Sequence, residues 1–211
     1  MALAQIAPSP AEIAKYTGLH AAAQRGDVAQ IQRLAQKAEA LNATDSYGRT
    51  PLHVAAFAKQ REAIRALVKA GADLSKLESD RYDAVTIASV ADDEETLRVL
   101  LQLGASAKLT TSRWDGTALI AAAHLGHDGV VRQLIQAGAP LDHVNNLHWT
   151  AAIEAVVLGN GGARHQASLK ALIDAGANLK LTDRQGQTPL QLARVRGFSE
   201  MVAMLEKADK K

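Results

Sequence analysis

Residues 45–77 read DSYGRTPLHVAAFAKQREAIRALVKAGADLSKL, and the rest of the 211-residue chain repeats that stretch with errors. Gly48 belongs in a tight turn, where a residue without a Cβ takes positive φ freely. Thr50 follows as a helix N-cap, with Pro51 at the first helical position, where a missing N–H costs nothing. Leu52, Ala55 and Ala56 fall at helical spacing, and Ile64, Leu67 and Val68 do the same in a second short helix that Gly71 ends. The unit is therefore a turn followed by two short helices.

The unit recurs with a period near 33 residues. Thr17, Leu19, His20, Ala22 and Ala23 stand 33 before Thr50, Leu52, His53, Ala55 and Ala56. Later copies keep the register at Leu97, Leu100 and Gly104, at Gly116-Thr117-Ala118-Leu119, at Thr150-Ala151, and at Gly186-Gln187-Thr188-Pro189-Leu190. The third copy has Asp83-Ala84-Val85-Thr86 where the second has Thr50-Pro51-Leu52-His53. The residues Thr50-Pro51-Leu52-His53, Ala55-Ala56, Leu67-Val68 and Gly71-Ala72 resemble an ankyrin repeat. That resemblance implies an all-α solenoid of six stacked helix–turn–helix repeats with short β-hairpin loops. The wording Leu141-Asp142-His143-Val144-Asn145-Asn146 looks bacterial rather than animal. The expected layout is a flexible leader over 1–15 and a repeat domain over 16–207, with a frayed tail over 208–211. The units fall at about 16–44, 45–77, 78–109, 110–144, 145–181 and 182–207.

Composition narrows the function. The chain is 47% hydrophobic but only 3% aromatic, which suits cores of Ala, Leu, Val and Ile in small helices. A net charge of +2 is too small to imply a nucleic-acid or membrane surface, and no window reaches the length of a membrane span. With no cysteine, disulfides, thiolate nucleophiles and Cys-type zinc sites are excluded. Ala2-Leu3-Ala4 before Gln5 has the small-residue character of a signal-peptide end, although no charged and apolar regions precede it. That end implies an exported or periplasmic protein if Met1 is not the native start, and a cytoplasmic one if it is. Pro8 and Pro10 mark a non-helical leader.

The fifth unit is long, with 38 residues from Thr150 to Thr188, and the excess falls at Gly159-Asn160-Gly161-Gly162-Ala163-Arg164-His165 between its helices. Gly159, Gly161 and Gly162 suggest a phosphate loop, but no strand precedes them and no Gly-Lys-Ser/Thr run follows. His124 and His127, three apart, could reach one metal, yet no carboxylate is well placed in the sequence to complete a site. His20 and His53 occupy the T-P-L-H histidine place, where the resemblance implies a structural hydrogen bond rather than catalysis. Asp92 reads as an N-cap with Glu95 at capping-box spacing, favoured over a cation patch. No Gly-x-Ser-x-Gly elbow is present, and no enzyme is expected.

The aromatics carry more. Tyr47, Tyr82, Trp114 and Trp149 each lie just before the capping position of their unit, in the hairpin turns. Large rings held outside the helical core suit contact anchors, or else pack on the neighbouring turn. The position two after the Ala55 place carries Phe57, Val90, His124, Val157 and Val195, which the resemblance turns toward the family's concave groove. The resemblance therefore implies a protein–protein interaction module without cofactor, a monomer that grips an unidentified protein in that groove. Tyr47, Phe57, Asp80, Tyr82, Trp114, His124, Asn146 and Trp149 are its expected contacts. The alternatives are a metal or small-ligand protein using His124, His127 and the region Gly159 to Gly162, and a self-associating scaffold.

Overall fold

The computed structural model describes residues 6–36 and 38–209. Ala2-Leu3-Ala4 and the last two residues of the expected tail lie outside the described residues. Contacts divide the chain into two compact units, one ending at Ser106 and one beginning at Ala107.

In the first unit the helices are α1 (Pro10–Ile13), α2 (Gly18–Arg25), α3 (Val28–Leu34), α4 (Ala38–Leu41), α5 (Pro51–Phe57), α6 (Arg61–Lys69), α7 (Ala84–Val90) and α8 (Glu94–Gln102). Helix α5 packs between α2 and α7, while α6 packs between α3 and α8. Helices this short are not stable alone. Ile31, Leu52, Ile64, Leu67, Ile87, Leu97 and Leu100 are buried between the rows, so each pair is held by its neighbours.

The second unit opens on a two-stranded hairpin, β1 (Thr110–Thr111) and β2 (Gly116–Thr117), with Thr110 opposite Thr117. Its helices are α9 (Ala118–Leu125), α10 (Asp128–Gln136), α11 (Ala151–Val157), α12 (Ala163–Asp174), α13 (Pro189–Val195) and α14 (Ser199–Asp209). Helix α11 packs between α9 and α13, and α12 between α10 and α14. Leu119, Val130, Val131, Leu134, Ile153, Leu169 and Leu172 form the core.

One device closes five of the described turns. Asp45, Glu78, Ser112, Asn145 and Asp183 each stand five residues before the cap of the next helix. The Asp45 carboxylate accepts the N–H groups of Tyr47 and Arg49 at 2.8 and 2.9 Å. Glu78 does the same for Asp80 and Tyr82, Asn145 for Leu147 and Trp149, and Asp183 for Gln185 and Gln187. Ser112 makes the pair with longer bonds, 3.2 and 3.3 Å, to Trp114 and Gly116. Three residues into each turn the backbone is left-handed. Gly48 and Gly186 take that conformation, and so do Arg81, Asp115 and His148, which carry a Cβ. The following helices are capped by Thr50, Asp83, Thr117, Thr150 and Thr188, each accepting the N–H three residues on.

Two expectations are corrected here. The leader is not non-helical past Pro10, because Ser9 and Glu12 form a capping box around α1. Glu12 then pairs with Arg49, whose guanidinium is only 1% exposed, binds Asp45 at 2.8 Å and lies 4.5 Å from the centre of the Tyr47 ring. Hydrogen bonds from Ser9, and then the pairing with Arg49, hold the Glu12 carboxyl down to about 2. Burial opposes the charge on Asp45, but hydrogen bonds from Arg49, Tyr16 and Tyr47 outweigh it and keep its carboxyl below the usual range. The second correction concerns α8, whose cap is Asp93, not Asp92. Asp93 accepts the Thr96 N–H at 3.1 Å, while Asp92 has φ +53. Asp92 stands nine residues after its cap, the place that Gly26 and Gly126 fill with positive φ in their own units.

His53 is fully inside the first unit. The Thr50 N–H donates to its Nδ1 at 3.0 Å, which leaves Nε2–H to donate to the Lys76 carbonyl at 3.0 Å. Burial pushes its pKa down to about 4. The folded state therefore binds fewer protons than the unfolded one below the ordinary histidine value. Stability from this group is complete above about pH 6.5 and declines as pH falls toward 4, by on the order of 2–3 kcal/mol. His53→Gln, which copies the capping box that Thr188 makes with Gln191, removes that dependence. Denaturant titrations should show the gap between wild type and variant closing or reversing from pH 7 to pH 4.5; a constant gap contradicts the account. His148→Gly relieves a left-handed Cβ and should raise stability by about 0.5–1 kcal/mol. A lower unfolding midpoint would count against the turn geometry.

Candidate functional site

The turns and the outward ends of the first helices position the expected contact residues. Tyr47 and Trp114 sit two residues into their turns, at the tips, and are 43% and 37% exposed. Tyr82 and Trp149 sit two residues further along, next to the cap, and are half-buried. The four rings thus occupy two kinds of place, which the approximate rule of standing just before the cap merges. Asp80 is half-buried at the tip of its turn, with its N–H on Glu78. Asn146 is exposed, donates its side-chain amide to the Arg113 carbonyl at 3.2 Å, and gives its backbone N–H to the Trp114 carbonyl at 2.9 Å. The Ser79 N–H bonds the Tyr47 carbonyl in the same way at 3.0 Å. The first two turns of each unit are therefore tied backbone to backbone, and the Asp183 turn is joined to the one before it by the Arg184 side chain on the Asn146 carbonyl.

On the first helices Phe57, Val90, His124 and Val157 are half-buried, and Val195 is 75% exposed. His124 is not bare. Its Nδ1 lies 2.9 Å from Glu154 Oε2, and Glu154 Oε1 accepts from the Asn145 side-chain amide at 3.0 Å. Glu154 comes from the next helix, 30 residues away in sequence, and pairs with His124 without completing a three-ligand metal group among the described residues. It is 4% exposed. Sequence reasoning passed over Glu154 and Asn145, although a signal was present. Glu154 is charged at a register where the other copies have Ala21, Val54, Ile87, Ala121 and Leu192.

His127 is the N-cap residue of α10. Among the described residues no group of three or more His, Asp and Glu side chains is placed to hold a metal ion. Also among them, no helix is long and apolar enough to cross a membrane.

The long fifth repeat does not place its whole excess in a loop, as expected, because Ala163, Arg164 and His165 form the first turn of α12. Arg164 binds Asp128 at 3.0 Å, and His165 Nε2 donates to the His124 carbonyl at 3.0 Å, covering the C-terminal end of α9. Burial opposes the charge on Asp128, but Arg164 and Arg132 outweigh it and hold the carboxyl below its usual range. The glycine run is filled from both sides. A Cβ on Gly159 would meet the His165 ring at 2.8 Å, and one on Gly161 would meet the Phe198 ring at 2.6 Å. Gln166 donates to the Gly161 carbonyl at 2.8 Å. The Gly162 N–H is taken by the Asn160 side-chain oxygen at 2.9 Å.

Comparison with known proteins agrees with this architecture. A family profile described as ankyrin repeats (3 copies) matches residues 3–78 and 85–163. A putative ankyrin repeat protein of Escherichia coli K12, YahD, is 39% identical over 95 residues, 44% of this chain and 47% of that protein. The matched stretch thus spans about half the length of that curated relative. An ankyrin repeat domain from Acinetobacter baumannii is 41% identical, with a TM-score of 0.84, covering 90% of this chain and 97% of that one. A chain from the Bdellovibrio bacteriovorus predatory endopeptidase Bd0816 in complex with immunity protein Bd3460 is 26% identical, with a TM-score of 0.69, covering 91% and 98%.

Gly161 offers a direct check on the long repeat. It combines φ +70 with the Phe198 contact, so Gly161→Ala should lower stability by roughly 1–3 kcal/mol in a denaturant titration. An unchanged midpoint would show that the loop is not packed as described.

Proposed function

As the chain belongs to the ankyrin-repeat family, we propose that it is a non-catalytic protein–protein interaction module that holds a protein partner in a groove lined by its turns and first helices. Ankyrin repeats are protein-interaction modules, and one structural relative comes from a complex of an endopeptidase with an immunity protein. The observation that carries the reading is the exposure of large rings on braced backbone. Trp114 and Tyr47 stand at tips whose N–H groups are already accepted by Ser112 and Asp45. A ring on a pre-ordered turn loses little entropy on contact, which favours it as an anchor.

In the first unit the contacts are Tyr47, Phe57, Asp80 and Tyr82, and in the second Trp114, His124, Asn146 and Trp149. The protein works as a monomer without cofactor, and its partner is neither nucleic acid nor membrane. Trp114→Ala is the clean test, because that side chain is exposed. Capture of a protein from native lysate of the source cells should weaken by at least ~30-fold in affinity, the effect of losing an anchor worth 2 kcal/mol. The thermal midpoint should not move. Equal capture by wild type and variant would contradict the role of the turn tips, and mass rising with concentration in light scattering would point to self-association instead.

A further inference from the structure

Four of the five described turns are closed by a carboxylate or amide, and in three of these, at Asp45, Glu78 and Asp183, the closing group is a carboxylate. The residue nine further on, in the first helix, is then apolar: Val54, Ile87 or Leu192. The fifth repeat inverts the pair. Its turn is closed by the neutral Asn145, and the carboxylate has moved to Glu154 on α11. Closure of the turn does not need it, since Asn145 Oδ1 accepts the Leu147 and Trp149 N–H groups by itself. A buried carboxylate is costly unless it is fully paired, and an apolar residue at the same register is the less demanding choice.

What Glu154 adds is a link. An ionised carboxylate only accepts, so its two oxygens draw the Asn145 amide from one side and the His124 Nδ1–H from the other. Asn145 belongs to the turn that carries Trp149, and His124 lies in the last turn of the preceding first helix. The His124 side chain remains 18% exposed, and its Nδ1 is committed to Glu154, so Nε2 is the ring nitrogen left for a partner. We infer that Glu154 is a positioning residue for partner recognition: it fixes the Trp149 turn and the His124 ring together, and holds the ring by Nδ1 so that Nε2 is the nitrogen left to hydrogen-bond the bound protein. This deepens the proposed function and rests on it.

The test restores the common pattern with the double variant Asn145→Asp and Glu154→Leu, which puts Asp183 and Leu192 chemistry into the fifth repeat. The free protein is read first. Long-range proton–nitrogen spectra should show His124 as the Nδ1–H tautomer in wild type and as the Nε2–H tautomer in the double variant. The Trp149 indole resonance should broaden or shift, and the denaturant midpoint should stay equal or rise. Identical His124 spectra in both proteins, or a lower midpoint with unchanged spectra, would overturn the positioning role and leave the binding reading to Trp114→Ala. With whatever protein is captured in a Trp114-dependent manner, the double variant should bind at least ~10-fold more weakly. Undiminished binding would overturn the inference, whereas failure of the binding reading itself shows as loss of any Trp114-dependent capture.

Discussion

One side-chain oxygen accepting two backbone N–H groups is the interaction on which each turn depends. A turn of this length has peptide groups that neither helix can pair, and unpaired groups would demand water and mobility. Asp45, Glu78, Asn145 and Asp183 supply the acceptor within the turn itself, and Ser112 does so with longer bonds beside a short strand pair. The backbone bonds from Ser79 to Tyr47 and from Asn146 to Trp114 then tie one turn to the next within each unit. Within each unit the joined tips are held in place while the apolar work stays with the helices behind them. The same economy appears at the amino-terminal edge, where Arg49 both follows its turn and binds Glu12 of α1. The ion pair thereby ties α1 to this first turn.

The repeat architecture was legible because its signals are local. Thr50 with Pro51, Gly48 at a left-handed tip and Gly71 past a helix end each report backbone geometry directly. Where reading failed, the deciding interaction came from elsewhere in the chain or from a register left unused. Asp92 looked like a cap because acidic residues follow it, although its alignment with Gly26 and Gly126 marks the left-handed position. The leader looked unstructured because Pro8 and Pro10 break helices, while its partner Arg49 lies 37 residues on. Trp149 and Trp114 looked equivalent until the turn was counted from its acceptor residue. Glu154 carried no motif at all; only its contrast with Val54, Ile87 and Leu192 distinguishes it.

Surfaces fixed before a partner arrives are suited to binding. Tip residues on closed turns and a histidine held by a buried carboxylate have little freedom left to lose, which is where affinity is otherwise spent. The insertion around Gly161 follows the same logic in another way. Its glycines let the His165 and Phe198 rings come close to the backbone, and its helical end reaches back to Asp128 and the end of α9. Length added to this repeat went into packing as well as into a loop.

Hydrogen exchange of individual backbone amides tests the claim of pre-formed turns most directly. The N–H groups of Tyr47, Tyr82, Leu147, Trp149 and Gln187 should exchange as slowly as those inside the neighbouring first helices, in the protein without any partner. Exchange at the rate of an unstructured peptide, with the helices still protected, would contradict the account.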